Sequence, residues 1–361
     1  MIKCGAMKTS EFTLNYTAIY SGTDKSEITF YEGTPDLNTI YTPGTERETR
    51  YFFVTDATVA TLPALSSFIQ NFDDGKCGND SLIILGSGAK YKTIDTIIEI
   101  IKVSLADGFT RNDTFVGIGG GVICDITAFA ASIFKRGIKV EFVPTTLLAM
   151  VDASIGGKTG CDFDNFKNMI GTFYPAAKLT YFPEFIQSLP ENQFKSGLGE
   201  VLKTALLFNK DLFNLLNNES DKVLSRDKET LTKLIKYCVE AKGNIVEKDF
   251  TEKGDRTFLN LGHTFAHAYE TLAGLGNITH GEAVAWGIGR MVYLSAYKDF
   301  CLDSYRVQIF NLLEKYGFDT SSVPQIIRGG GIGERFIEVM RKDKKNNSNK
   351  ENKKNGRYEL I

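Results

Sequence analysis

Short apolar runs alternate with longer amphipathic segments in the first half of the chain. Apolar positions recur at intervals of three and four over residues 94–109 and 122–137, which predicts two α-helices. Residues 1–50 show the pattern of antiparallel or edge strands. Strands that alternate with helices indicate a mostly parallel sheet, so we expect an α/β domain here. The predicted strands of this sheet are residues 51–55, 81–86, 114–120 and 139–146.

Past Pro183 the pattern becomes helical, with few strand signals. Pro183 and Pro190 flank a short segment, and we place a domain boundary there. The prediction is an α/β domain over residues 1–185, followed by an all-α domain over residues 186–361. The polar, basic segment 341–357 is predicted to be a flexible surface loop. The predicted helices of the second domain are residues 193–217, 228–248, 262–274, 281–299 and 304–316.

Composition and charge narrow the classes of function. The chain has 361 residues, of which 42% are hydrophobic, and a formal net charge of −2. That balance does not favour nucleic acid or an anionic membrane surface as a partner. The six cysteines are scattered singly, which argues against disulfides and thiolate zinc sites. The sequence shows neither a signal peptide nor an apolar run long enough to span a bilayer, so we expect a cytoplasmic protein.

The three histidines of the chain, His263, His267 and His280, lie close together in the sequence. His263 and His267 are four residues apart on a predicted helix, so both rings project from one face. This spacing is typical of metal chelation, although two structural histidines on a polar face would show it too. A catalytic zinc site needs three protein ligands, which could be all three histidines or two with a carboxylate. Glu200, at the start of a predicted helix, is the best candidate for that carboxylate, but an exposed glutamate at such a position is common.

Three consecutive glycines, Gly119, Gly120 and Gly121, lie in GIGGGVICD between a predicted strand and a predicted helix. Backbone N–H groups in such a turn can approach a pyrophosphate, which the start of a helix also favours electrostatically. A tight structural turn would need the same glycines, and the segment does not match GxGxxG. The pattern indicates a nucleotide- or phosphate-binding turn. Asp56, at the end of the strand predicted over residues 51–55, could contact the cofactor or cap a helix.

A glycine-rich stretch over residues 152–171 carries Lys158, Lys167 and Asn168 and is predicted to be a loop. It includes GGKT but not the Walker phosphate-binding pattern, because Asp152 stands where that pattern needs glycine. Cations on such a loop suit an anionic substrate. Further basic residues lie beside the other motifs, namely Arg136, Lys203, Lys242 and Arg256. Each alone would be interpreted as a solvated surface charge, and only its placement next to a motif favours a role in binding an anionic substrate.

These blocks together resemble the 3-dehydroquinate synthase family over residues 50–290. The order and spacing of so many blocks exclude chance convergence. The resemblance implies an α/β nucleotide-binding domain followed by an all-α metal-binding domain, in agreement with the boundary above. The matching text comprises GIGGGVICD, AASIFKRG, VPTTLLAMVDASIGGKTG, KNMIGTFYP, SGLGEVLK, RTFLNLGHTFAHAYE and HGEAVAWG.

The resemblance also assigns roles to individual residues. By it, Glu200, His263 and His280 match the family's zinc ligands, whereas His267 matches a histidine beside the substrate phosphate. Arg136 matches an arginine that the family delivers across a dimer interface, which implies a homodimer. The positions that match the family's substrate site are Asp152, Lys158, Lys167, Asn168, Lys203, Lys242, Arg256, Asn260 and, in KDKK, Lys344. The positions that match cofactor contacts are Gly119, Gly120, Gly121, Asp125, Thr145 and Thr146, with Asp56, Lys92, Lys158 and Lys167 as further candidates.

The chain departs from the family's usual pattern near the cofactor and in the substrate stretch. Ala89 replaces the acid of a Glu-x-x-Lys cofactor contact whose lysine is Lys92. The other departures are Cys124 and Ala128 at usual glycines, Asp162 and Phe163 at a usual Asn-His, Phe166 at a usual glycine, and Phe250 where an acid is common. All of these departures bear on cofactor affinity and turnover, and they leave the metal and phosphate residues intact.

The resemblance implies an NAD- and metal-dependent lyase of the shikimate pathway, with zinc or cobalt as the metal. Such an enzyme converts 3-deoxy-D-arabino-heptulosonate 7-phosphate, a small anionic sugar-acid phosphate, to 3-dehydroquinate and phosphate. Transient oxidation by NAD permits elimination of phosphate; reduction then restores NAD, and an intramolecular aldol step closes the ring. Three alternatives to this function fit the sequence less well. A polyol dehydrogenase with a histidine-bound metal would not need so many cations. A cyclase of sedoheptulose phosphates would depart at GGKTG and at the second histidine of HTFAH, and a non-catalytic relative would have lost Glu200 or a histidine, whereas this chain keeps all of them.

Overall fold

The fold comes from a computed structural model, in which the chain forms two compact units, Met1–Leu259 and Asn260–Ile361. The domain boundary expected between residues 185 and 186 lies inside the first unit and remains a prediction. The residues that the structure describes are 6–16, 25–44, 48–163, 166–274 and 276–341. Lys344 and nearly all of the loop predicted over residues 341–357 lie outside the described residues.

The first unit contains a seven-stranded sheet and a two-stranded hairpin among its described residues. The strands are β1 (Met7–Asn15), β2 (Lys25–Glu32), β3 (Tyr51–Asp56), β4 (Ser81–Leu85), β5 (Thr114–Gly119), β6 (Lys139–Pro144), β7 (Lys158–Phe163), β8 (Phe166–Phe173) and β9 (Lys178–Tyr181). The sheet has the strand order β1-β2-β9-β6-β5-β3-β4, and every pair is parallel except β1 with β2. The predicted mostly parallel sheet and its antiparallel edge strand are therefore confirmed.

The stretch over residues 152–171 is not the loop that its glycines predict. β7 and β8 pair there as an antiparallel hairpin, in which Gly160 lies opposite Gly171. A Cβ on Gly171 would come within 2.0 Å of the carbonyl oxygen of Thr159. The glycines at this point therefore allow two strands to approach closely, and loop flexibility is not their role.

Helices accompany the strands of the first unit. The α-helices are α1 (Leu37–Tyr41), α2 (Ala57–Ala60), α3 (Ser66–Asp73), α4 (Ile94–Ala106), α5 (Gly121–Ile133), α6 (Glu191–Phe208), α7 (Lys210–Asn218), α8 (Ser220–Leu224) and α9 (Lys228–Lys248). The helix predicted over residues 193–217 is two helices, α6 and α7, because Asn209 interrupts it. The backbone of Asn209 is extended, and its side chain accepts a hydrogen bond from Leu212 N at 2.9 Å, which caps α7.

The carboxyl ends of the parallel strands position the predicted cofactor turn. β3, β5 and β6 end at Asp56, Gly119 and Pro144, on one edge of the sheet. β5 is buried along its whole length, as a central strand of a covered parallel sheet should be. Ligands of open α/β sheets bind outside this edge, so the cofactor candidates lie where the fold class places a site.

The second unit contains helices and no strand among its described residues. The α-helices are α10 (His263–Ala273), α11 (His280–Tyr297), α12 (Asp303–Lys315) and α13 (Ile332–Arg341). A capping box fixes the start of α11: Thr279 Oγ1 accepts from Glu282 N, and the Glu282 carboxylate accepts from Thr279 N. α10 and α11 approach closely, since a Cβ on Gly287 would lie 2.2 Å from the carbonyl oxygen of Gly262. No helix among the described residues combines the length and the apolar character needed to cross a membrane.

Gly262→Ala should destabilise the second unit. Gly262 has a φ of +79°, and its Cβ would lie 2.7 Å from the backbone nitrogen of Ile288. The left-handed conformation costs a non-glycine residue about 1–2 kcal/mol, and the clash with backbone adds to that loss. Gly276→Ala is the matched control, because Gly276 has a φ of +82° and its Cβ would meet no described atom within 4 Å. Urea unfolding should show the larger loss of unfolding free energy for Gly262→Ala; equal losses would contradict the close packing of α10 on α11.

Candidate functional site

The glycine-rich turn joins β5 to α5 and meets the requirements of a tight turn and of an anion site. Cβ atoms on Gly119, Gly120 and Gly121 would lie 2.7, 3.1 and 3.1 Å from neighbouring side chains, so packing alone favours glycine. Gly120 is also the N-cap of α5, a position where it has no side chain to accept from the N–H groups of the first turn. Those N–H groups fit an anion such as a pyrophosphate.

Three more cofactor candidates lie at the same edge of the sheet. Thr145 N donates to the carbonyl oxygen of Gly119 at 2.9 Å, which ties the turn after β6 to the turn after β5. Thr146 Oγ1 accepts from a backbone N–H three residues on, at 3.2 Å. Asp56 accepts from two backbone N–H groups at the start of α2, at 2.9 and 3.1 Å, and from Ser87 Oγ at 2.9 Å. Of the two roles left open for Asp56, the structure shows the helix cap.

Lys92 connects a cofactor candidate with a substrate candidate. Its Nζ lies 2.6 Å from Asp125 Oδ2 on α5, and it also donates to Asn168 Oδ1 on β8. Burial raises the pKa of Asp125, and the charge of Lys92 opposes that shift. Since Ala89 offers no carboxylate, Asp125 supplies the countercharge that a Glu-x-x-Lys sequence would have carried.

A cluster of buried charges surrounds Asp152. Lys242 Nζ on α9 lies 2.9 Å from Asp152 Oδ1, and Lys203 Nζ on α6 lies 3.4 Å from the same oxygen. Although burial acts in the opposite direction, the two ammonium groups lower the pKa of Asp152 to about 2. Burial lowers the pKa of Lys242 to about 8 despite its carboxylate partner. The pKa of Lys203 is raised, because the charges of Asp152 and Glu200 outweigh burial.

Glu200 is not the ordinary exposed glutamate of a helix start. α6 begins at Glu191, so Glu200 lies in the middle of the helix, where it is 1% exposed. It forms an ion pair with Lys203, one turn along the same helix. A buried carboxylate costs several kcal/mol unless it is paired or binds a metal. The burial of Glu200 therefore agrees with an ion-pair or ligand role and excludes the surface alternative.

Arg256 is a buried cation held by main-chain oxygens. It donates to the carbonyl oxygens of Phe250 and Gly156, the latter at 2.8 Å, and burial lowers its pKa. Its buried Nε–H has no hydrogen-bond partner among the described residues. An unpaired buried donor costs about 1–3 kcal/mol, so this atom fits an anionic ligand. Phe250, which replaces an acid common in the family, holds Arg256 through its backbone.

The other predicted cations of the first unit are more exposed. Lys158 Nζ lies 2.5 Å from Glu252 Oε2, and burial lowers the pKa of Lys158. Lys167 is half-buried on β8, and Arg136 is exposed with a φ of +69°. The predicted residues that the structure gathers into two clusters are Asp152, Glu200, Lys203 and Lys242 in one, and Lys92, Asp125 and Asn168 in the other.

The three histidines lie together in the second unit. The ring centroid of His263 is 5.7 Å from that of His267 and 5.3 Å from that of His280, and the latter two are 6.4 Å apart. His263 is buried, whereas His267 and His280 are half-buried, as is Asn260 three residues before α10. The histidine spacing in the sequence therefore did indicate a cluster in space.

The hydrogen bonds of two histidines select a tautomer. Nδ1 of His263 lies 3.3 Å from the carbonyl oxygen of Leu261, and Nδ1 of His280 lies 3.3 Å from Glu270 Oε1. Because these oxygens only accept, a neutral imidazole makes each contact through Nδ1–H, which puts its lone pair on Nε2. Nε2 is a usual metal-binding atom. The donor set fits a zinc-like ion with His263 and His280 as ligands, and this geometry leaves the role of His267 open.

Glu270 is a residue that the sequence reasoning missed. It is 7% exposed and lies seven residues after His263 on α10, two turns further along the same face. The signal was the acid that closes HTFAHAYE, at helical spacing from both histidines of that motif. It passed unnoticed because a glutamate near a helix end is usually solvated.

Two solved structures define the fold class. The structure of 2-deoxy-scyllo-inosose synthase with carbaglucose-6-phosphate, NAD+ and Co2+ matches with a TM-score of 0.76 and 23% identity, over 94% of this chain and 88% of that one. The structure of 2-epi-5-epi-valiolone synthase from Streptomyces hygroscopicus subsp. jinggangensis with NAD+ and Zn2+ has a TM-score of 0.76 and 23% identity, over 91% and 89%. The chain therefore has the fold of these synthases.

Sequence matches define the family more narrowly. The family model for the 3-dehydroquinate synthase N-terminal region matches residues 82–196, and the model for the C-terminal region matches residues 197–346. The 3-dehydroquinate synthase of Acidithiobacillus ferrooxidans is 40% identical over 294 residues, which is 81% of this chain and 78% of that protein. The chain belongs to the 3-dehydroquinate synthase family.

Asp152→Asn should destabilise the first unit in a pH-dependent way. The variant leaves Lys203 and Lys242 buried without their shared countercharge, and breaking a buried pair costs up to about 3–5 kcal/mol. Because the pKa of Asp152 is lowered to about 2 in the folded protein, its charge contributes fully to stability at any pH above the pKa of Asp152 in the unfolded chain. The difference in unfolding free energy between wild type and variant should therefore be largest near neutral pH. It should shrink as the pH falls below the pKa of the unfolded chain toward the pKa of the folded protein.

The matched control for this prediction is Asp74→Asn. Asp74 pairs with Lys76 at 2.7 Å on the surface, where water screens the charges. It should therefore lose much less stability than Asp152→Asn. Urea unfolding at a series of pH values measures both variants, and losses that are equal and independent of pH would contradict the buried cluster.

Proposed function

We propose that the chain is a 3-dehydroquinate synthase, which converts 3-deoxy-D-arabino-heptulosonate 7-phosphate to 3-dehydroquinate and phosphate in the shikimate pathway. The observation that carries this proposal is the 40% identity to a 3-dehydroquinate synthase over 81% of the chain. The buried cations Lys203, Lys242 and Arg256 support it, because the substrate carries both a carboxylate and a phosphate.

We infer that Glu200, His263 and His280 hold one divalent ion, zinc or cobalt. Each of the three offers one ligand atom, a carboxylate oxygen or an imidazole nitrogen. A set of three protein ligands leaves a coordination position for substrate, as a catalytic zinc site requires. When bound, the ion supplies Lewis-acid polarisation of a substrate hydroxyl. Lys203, one turn along α6 from Glu200, would keep that carboxylate ionised and oriented.

We infer that NAD binds at the glycine-rich turn, with its pyrophosphate against the N–H groups around Gly120. When bound, NAD supplies a reversible hydride acceptor. The ion pair of Lys92 with Asp125 would order the side of the turn that faces α5. The remaining proposed cofactor contacts are Asp56, Gly119, Gly121, Thr145, Thr146, Lys158 and Lys167.

The residues proposed for the substrate divide between its two anionic groups. Arg256 and Lys242 would bind the carboxylate: the buried Nε–H of Arg256 needs an acceptor, and Lys242 is still mostly protonated at neutral pH. Asp152 holds Lys242 and Lys203 in place. The departing phosphate, once held, would itself accept the proton lost from the neighbouring carbon. The residues proposed for the phosphate are Lys158, Asn168, Asn260 and His267.

We further propose a homodimer in the cytoplasm. Arg136 is exposed on a turn in the left-handed region, so its side chain is accessible to a second copy of the chain. The family delivers the matching arginine across a dimer interface. The cysteines among the described residues are free thiols, which agrees with a reducing compartment.

The purified chain should release phosphate from 3-deoxy-D-arabino-heptulosonate 7-phosphate when NAD and zinc are present, without accumulation of NADH. The reaction is redox-neutral overall, so NAD should be required but not consumed. A coupled phosphate assay and the absorbance of NADH measure the two quantities together. Stoichiometric NADH would contradict the proposal and favour a polyol dehydrogenase.

A matched pair of lysine variants tests the substrate site in the same assay. Lys242→Met should lower kcat/KM about ten- to a hundredfold, since a hydrogen bond to a charged group is worth about 1.5–3 kcal/mol. Lys233→Met should have little effect, because Lys233 is exposed on the same helix.

Variants of the three histidines should separate ligands from substrate contacts. His263→Ala and His280→Ala should lose the metal, because two remaining ligands bind an ion weakly. His267→Ala should keep the metal and lose rate about ten- to a hundredfold, through one charge-assisted contact. Elemental analysis of protein purified without chelator should find about one equivalent in the wild type and in His267→Ala. Loss of the metal from His267→Ala would show that the histidines form an all-His site.

A further inference from the structure

Glu270 has no role in the function proposed above, yet its buried carboxylate faces a proposed metal ligand. It is 7% exposed, and its Oε1 lies 3.3 Å from His280 Nδ1. We infer that Glu270 is a positioning residue, which holds the ring of His280 and its tautomer for metal binding. The inference rests on the proposed function, because it requires His280 to be a ligand.

The two helices of the contact fix its geometry. Glu270 lies in the last turn of α10, on the face that also carries His263. His280 is the first residue of α11, and the capping box between Thr279 and Glu282 holds the backbone there. The imidazole therefore meets the carboxylate from a helix start that is already ordered, so the carboxylate decides mainly the rotation of the ring.

Helix stability does not explain an acid at position 270. The carboxyl end of a helix carries partial negative charge, which disfavours a carboxylate near the end of α10. Burial adds a penalty unless the carboxylate meets a donor or a positive charge. The Nδ1–H of His280 is such a donor, and a metal-bound imidazole is a better one, because the ion withdraws electron density from the ring.

A carboxylate does more for a ligand than a neutral acceptor does. Both kinds of acceptor fix Nδ1 as the protonated nitrogen, and the carbonyl oxygen of Leu261 does so for His263 at 3.3 Å. A carboxylate also raises the basicity of the ring and so strengthens its bond to the metal. The two histidines are therefore unequal ligands, because His280 faces a carboxylate and His263 faces a backbone carbonyl oxygen.

Glu270→Gln tests the inference, because glutamine keeps the shape and one acceptor oxygen but removes the charge. Metal-depleted wild type and variant are titrated with Zn2+ and with Co2+ against a competing chelator. The variant should bind Zn2+ about ten- to a hundredfold more weakly, the usual range for loss of such a partner, and its Co2+ absorption bands should shift. Glu282→Gln is the matched control: it removes a carboxylate charge two residues beyond His280, while glutamine can still accept from Thr279 N in the capping box, so metal affinity should not change.

The outcomes separate the inference from the proposed function. A Glu270→Gln variant that binds Zn2+ as tightly as the wild type, with unchanged Co2+ bands, would overturn the role of Glu270, while metal loss in His280→Ala would keep the proposed site intact. Equal weakening by Glu282→Gln would also overturn it, because a general loss of negative charge near His280 would then be the cause. A wild-type protein that binds neither Zn2+ nor Co2+ would contradict the proposed metal site itself. If Glu270→Gln does not fold, Glu270→Asp retains the charge at a shorter reach, and wild-type affinity in that variant would count against the inference.

Discussion

The burial of charge around Asp152 is the constraint on which the rest of the first unit depends. A charged group taken out of water costs several kcal/mol, and only opposite charges and hydrogen bonds offset that cost. Asp152 faces Lys203 and Lys242, and Glu200 pairs with Lys203, so the cluster is neutral when all four groups are ionised. The one-turn π-helix Ala149–Ala153, which carries Asp152, must therefore stay aligned with α6 and α9, which supply the other three groups.

The periodicity of apolar positions predicted the buried strands and the main helices, because apolar side chains recur where one face of an element is buried. β3 and β5 are central strands, and their apolar runs predicted them to within a residue or two. The hairpin of β7 and β8 was missed, because glycines that permit close strand approach look the same in sequence as glycines in a loop. The break between α6 and α7 was missed because a single Asn209 side chain ends an otherwise continuous amphipathic pattern.

The candidate site was predictable where its residues are close in sequence. His263 and His267 share a helix face, so spacing alone indicated that they cluster. The pairing of Lys203 and Lys242 with Asp152 joins segments 51 and 90 residues apart, and no local pattern reports such contacts. The hydrogen bond that fixes Arg256 is harder still to predict, because Arg256 donates to the backbone carbonyl oxygen of Phe250. Every residue has such an oxygen, so the identity of residue 250 does not indicate this contact.

Carboxylates in both units hold a neighbouring basic side chain in position. Asp152 keeps the lysines beside it in place, Glu252 pairs with Lys158, and Glu270 holds the ring of His280. A buried lysine without such a partner would lose its proton, and a histidine without one could present either nitrogen. Each carboxylate thus sets the protonation state and direction of a functional group before any ligand arrives. Because that ordering is already part of the fold, binding need not supply it, and more of the binding energy remains for the chemical step.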